Sequence, residues 1–171
     1  RIGKTYCSTC KRQVQVDTVS HIVDTVLSLP ECTPFLVAFP ITVSQKVSGQ
    51  AQVNLLKERG LVRILADNII TDITTETKGW DIRTAKSVYG IIDRLVVKDI
   101  MKERLVDALE TAYRLGAGHL SIIYNIQDSP AHPDVHGQGH PLTIQDSPWI
   151  ELKYSKHFFC REPKPLFKLI C

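Results

Sequence analysis

The chain has 171 residues, 43% hydrophobic and 23% charged, with a formal net charge of +3. This composition excludes disordered and fibrous classes and provides for one buried core, so one domain is expected. Its 21 basic and 18 acidic residues are too nearly balanced to argue for nucleic acid on charge alone. No apolar run approaches the roughly 20 residues that cross a bilayer, and the N-terminus lacks the apolar segment of a secretory signal, so a soluble, cytoplasmic protein with no membrane partner is expected. Five cysteines with one recognisable spacing read as thiols in a reducing compartment, not as a disulfide framework. A start at Arg1 without Met suggests a piece of something longer.

Cys7 and Cys10 form a C-x-x-C pair, a spacing that suits two ligands of a tetrahedral zinc. A structural site needs four, and no second pair exists, so no metal is expected. A redox pair would need a buried strand before it, and only six residues precede Cys7. Gly3-Lys4-Thr5 has the ending of a phosphate loop without its upstream glycine or strand. From Asp17 onward Val19, Ile22, Val23, Val26 and Leu27 share one helix face, and Pro30 closes the helix. His21 lies off that stripe. Residues 34–40, wholly apolar between prolines, read as a central strand buried on both faces. Ser48 caps a second helix that Gly60 ends. Residues 61–65 and 69–73 then form a hairpin around Asp67-Asn68, residues that tolerate positive φ.

Residues 74–86 are a polar excursion holding Trp80, Arg83 and Lys86. The stretch 88–97, rich in Val and Ile, reads as a strand that brings Asp93 and Arg94 to an accessible edge or face. It feeds a helix whose core stripe is Met101, Leu105, Ala108, Ala112 and Leu115, with Asp99 as cap and Gly116 and Gly118 as stop. Residues 119–126 are another strand. Residues 127–148 hold four prolines, His132, His136 and His140, and the pentapeptide IQDSP twice, and read as a loop. The histidines have helical metal-ligand spacing, but Pro133, Gly137, Gly139 and Pro141 forbid the helix. A returning strand with Ile150, Leu152 and Tyr154 on one face follows, and Cys160 and Cys171 lie in the tail.

The divisions are therefore 1–16 as an N-terminal segment, 17–126 as the main domain, 127–148 as a loop and 149–171 as a returning strand and link. The fold class is α+β, a mixed sheet with about three helices packed on it. No G-x-S-x-G, H-E-x-x-H or G-x-G-x-x-G is present, and Glu103, Asp107 and Glu110 alternate with cations as on a solvated helix face. The residues themselves point to an interaction domain without naming its partner.

Several stretches carry a resemblance: RIGKTYCSTC, then VQVDTVSHIVDTVLSLPECTPFLVAFPI, LLKERGLVRILAD, IIDRLVVKDIMKERLVDALETAYRLGAG and YSKHFFC. In this order they resemble the UvrA family of the excinuclease ABC system. The resemblance implies the segment inserted in the first ATPase module, which docks the partner helicase UvrB in bacterial nucleotide excision repair, with damaged DNA engaged through the parent protein. It implies that ATP and zinc belong to the parent, so that this chain holds no cofactor, is not an enzyme and is monomeric by itself. The chain departs from the family at Cys160, which is followed by Arg161-Glu162-Pro163 in place of a C-x-x-C pair. Cys7, Cys10 and Cys160 are thus only weak metal candidates. Leu65 also stands where the family has a second arginine, and Asn68 where it has a glycine. Arg63 and Arg94 match arginines of the family's motifs on the side that docks UvrB, and are expected to be the polar anchors, with Asp93 and Lys98 on the rim. The alternatives are a nucleic-acid-binding module using Arg63, Lys86, Arg94 and Lys98, and a thiol oxidoreductase using Cys7 and Cys10.

Overall fold

A computed structural model describes residues 17–75, 80–98, 101–127 and 139–157. The first helix, α1 (Val19–Leu27), starts where the Thr18 side chain accepts from the His21 N–H at 3.2 Å, and it buries Ile22, Val23 and Val26. Asp17 lies outside this helix. Its N–H and its carboxylate bond the Ser155 backbone, each at 3.0 Å, so the two ends of the domain lie side by side. The central strand β1 (Pro34–Pro40) is followed by α2 (Gly49–Glu58), capped by Ser48 and followed by Gly60 at φ 83°. Strands β2 (Arg63–Ala66) and β3 (Ile69–Asp72) form the expected hairpin, with Asp67 and Asn68 at φ 44° and 73°.

The excursion is pinned down. A 3-10 turn (Ile82–Thr84) buries Ile82, and Trp80 packs beside it on the α2 side of the core. Strand β4 (Val88–Val96) leads to α3 (Lys102–Leu115), which buries Leu105, Ala108 and Ala112 of the expected stripe together with Leu109 and Tyr113, while Leu115 is half-buried. Met101 occupies the N-cap, where its side chain caps no helix N–H, and Asp99 lies outside the described residues. Next come β5 (His119–Asn125), β6 (His140–Ile144) and β7 (Ser147–Ser155).

The sheet order is β3-β2-β4-β1-β5-β7-β6, and every neighbouring pair is antiparallel. The α+β class stands, while the sheet is antiparallel throughout and not mixed. Strand β1 is central and its five middle residues are buried, as its wholly apolar sequence requires. Strands β4 and β5 flank β1 and run the same way, so α3 is a crossover that packs on one face with α1.

The reading of 127–148 as loop throughout is corrected, because residues 140–148 build β6 and enter β7. Gln145 and Asp146, at φ 48° and 63°, make the turn, so the second IQDSP is a hairpin tip. Pro141 is compatible with a strand here because β6 is the sheet's edge, where a missing N–H breaks no ladder on the outer side. His132 and His136 lie outside the described residues.

The helices cover one face of the sheet. On the other, Leu36, Leu65, Ile123 and Ile144 are at most 2% exposed, packed with Ala38 and Ile91 and with no helix over them. Their burial comes from curling. The Gln145 N–H at the β6–β7 tip donates to the Asn68 carbonyl at the β2–β3 tip (3.3 Å), so hairpins at opposite ends of the sheet meet.

Candidate functional site

The fold holds two polar sites of note. The first lies on the inner face, where Glu151 is 1% exposed. It accepts from the Ser121 hydroxyl at 2.7 Å and is 3.4 Å from the Lys153 ammonium. Tyr89 reaches it from β4. Burial first, then the charge of Glu151 and a hydrogen bond to it, pushes the Tyr89 phenol up to about 12. This network joins β4, β5 and β7 and is a satisfied internal tie.

The second is a groove of about 530 Å³ at the free edge of β4. Strand β2 pairs with β4 only from Val88 to Ile91, whereas β1 continues to Val96. The groove fills the place where β2 has ended and is walled by Arg59-Gly60-Leu61-Val62 and by Thr111 and Leu115 of α3. Arg63 lies opposite Ile91 and Arg94 opposite Leu36, so both project from the inner face. A β-bulge at Ile92 turns Asp93 towards the helix side, opposite Val37.

On that side Asp93 meets Arg104 of α3 in a two-pronged pair, with Nε to Oδ2 at 2.7 Å and Nη2 to Oδ1 at 2.8 Å. The hydrogen bonds that it donates to Asp93, and then the charge of that carboxylate, hold the Arg104 guanidinium above its ordinary pKa. Arg63 lies 3.9 Å from Asp72, whose carboxyl is held below its ordinary value mainly by hydrogen bonds from Thr74, with Arg63 a smaller cause. Arg59 and Arg94 have no ion-pair partner among the described residues.

The sequence-predicted residues thus divide. Arg63, Arg94 and Asp93 line one groove. Lys98 is exposed beyond the end of β4 and does not line it, and neither does Lys86, whose backbone is tied to Asp67. Arg59 and Arg104 join the site without having been singled out in the sequence. The signal for Arg104 was its position in the first turn of a helix that returns antiparallel over the strand carrying Asp93. Cys7, Cys10 and Cys160 lie outside the described residues, among which no three metal-ligating side chains converge.

A shallow, arginine-lined groove at a strand edge suits recognition of an acidic surface better than enclosure of a small molecule. The sequence model described as the UvrA interaction domain matches residues 17–126. The chain belongs to the UvrA interaction domain family. UvrABC system protein A of Clostridium tetani is 30% identical over 128 residues, covering 75% of this chain and 13% of that protein. The Staphylococcus epidermidis protein of that name is 33% identical over 122 residues, 71% of this chain and 13% of its own length. The Methanothermobacter thermautotrophicus protein is 30% identical over 162 residues, 94% of this chain and 15% of its own length. The chain therefore spans about one-seventh of these UvrA relatives. The groove residues Arg59, Arg63, Asp93, Arg94 and Arg104 all fall within the part matched as the UvrA interaction domain.

Proposed function

We propose that this domain docks UvrB during nucleotide excision repair and does so through the arginine groove at the free edge of β4. The observation that carries the reading is the convergence of Arg59, Arg63, Arg94 and Arg104 on one groove within a domain of an interaction family. Arg63 and Arg94 are the anchors. Both side chains are exposed, and a guanidinium fork meets carboxylates in two-pronged geometry that lysine cannot provide. Damaged DNA, ATP and zinc are matters for the rest of the parent protein, and these residues are assigned binding and no chemistry.

The test is calorimetric titration of the 171-residue chain with UvrB, with duplex DNA as the control. Saturable 1:1 binding to UvrB is the expected result. Binding to duplex alone, with affinity falling steeply with salt, would replace this reading by the nucleic-acid one.

A further inference from the structure

We infer that Asp93 is a positioning residue of the groove and not a contact with the partner, and that the residue it holds, Arg104, is a further docking cation. This inference rests on the docking reading above. A carboxylate offers about four acceptor positions, and three of those on Asp93 are occupied from within the domain. Oδ1 accepts from the Arg94 N–H at 2.8 Å and from Arg104 Nη2 at 2.8 Å, and Oδ2 accepts from Arg104 Nε at 2.7 Å. The Asp93 side chain is 20% exposed while that of Arg104 is 67% exposed. The acid is the inner member of the pair and the cation faces outward.

The backbone explains why Asp93 can do this. The bulge places it on the helix side of β4, where α3 passes. Without the extra residue at Ile92 it would project from the inner face, away from α3, because a shift of one residue reverses every side chain. The Arg94 N–H lies in the part of β4 that β2 leaves unpaired, and Asp93 closes it. One carboxylate therefore orders the backbone from which the Arg94 side chain projects, holds the guanidinium of Arg104 by two of its donors, and offsets the mutual repulsion of four arginines. The outward donors of Arg104 remain for an acidic group on the partner. A rim contact would have at least one oxygen turned to solvent without an internal donor.

The test uses the whole 171-residue chain with Asp93→Asn, Asp93→Ala, Arg104→Ala and the Asp93→Asn, Arg104→Ala double variant. Amide hydrogen exchange at Arg94 reads the tie without any partner. It should be slow in wild type and in Asp93→Asn, which keeps an acceptor, and about tenfold faster in Asp93→Ala. Kinetics with UvrB read the role. Asp93→Asn removes a negative charge from an arginine groove, so association at low salt should be about twofold faster. Dissociation should be about fivefold faster because Arg104 is loosened.

That second effect should vanish when Arg104 is already Ala. Slower association in Asp93→Asn with Arg94 exchange unchanged would show that Asp93 meets a basic group of the partner, and would overturn the inference. So would an Asp93→Asn effect on dissociation that persists without Arg104. A wild-type chain that does not bind UvrB overturns the docking reading itself, while the exchange experiment still decides whether Asp93 holds the Arg94 backbone.

Discussion

Tyr89 should make the stability of this domain depend on alkaline pH in a way that Tyr89→Phe abolishes. In the folded chain the phenol is half-buried beside Glu151, and its pKa is raised from 10.0 to about 12. A folded-state pKa above the unfolded one gives stability that is fully present below pH 10 and lost as pH rises towards 12. A rise from 10.0 to about 12 corresponds to about 2.7 kcal/mol between the two protonation states. The ring is partly exposed and solvent screens part of this, so about 1 kcal/mol is expected. Removing the hydroxyl costs about 1 kcal/mol at pH 8, from the hydrogen bond to Glu151. Wild type should therefore be the more stable protein by about 1 kcal/mol at pH 8, and the gap should close by pH 11.5. Urea unfolding of the two proteins in parallel isolates this difference, because every other group is common to both. A gap that stays constant from pH 8 to 11.5 would refute the Tyr89–Glu151 tie.

The double variant Arg63→Ala, Arg94→Ala should weaken UvrB binding by about 1 to 4 kcal/mol, roughly five- to several-hundred-fold in Kd. Its melting temperature should barely move, since Arg94 has no ion-pair partner among the described residues and the Arg63–Asp72 contact is exposed. Calorimetry and a thermal scan read the two, and retention of wild-type affinity within about twofold would remove these arginines from the docking surface. Ile144→Ala should cost about 2 to 5 kcal/mol in chemical denaturation, because that side chain is 1% exposed under the curl of the sheet. A neutral result would mean that the β6–β7 hairpin is not packed. Gly90→Ala should cost about 1 to 3 kcal/mol, since the added Cβ would lie 2.6 Å from the Phe39 ring and 2.6 Å from Leu61. An equally stable variant would show that those side chains can move aside.

The elements themselves were legible wherever one local pattern decides them. The apolar run of β1 between prolines, the stripe of α3 and the Asp67-Asn68 turn all follow from periodicity and backbone preference, and each occurs where those rules put it. The family was legible through the resemblance of its longer stretches, and the exposure of Arg63 and Arg94 was legible because a guanidinium inside an apolar strand must emerge where water or a partner reaches it. The β6 strand was hidden by its own composition. Pro141 reads as loop, and only the place of β6 at the edge of the sheet makes it compatible with pairing.

The groove was not legible as a whole. Arg59, Arg63, Arg94 and Arg104 come from four separate elements or their ends, and no spacing in the chain relates them. They meet because β2 stops pairing at Ile91, because a single extra residue rotates Asp93 towards α3, and because α3 returns across the strand that precedes it. Sequence determines which side chains must be buried or exposed through local periodicity and charge. Which exposed ones become neighbours is set by strand register, a bulge and helix crossing, quantities that exist only once distant segments pair.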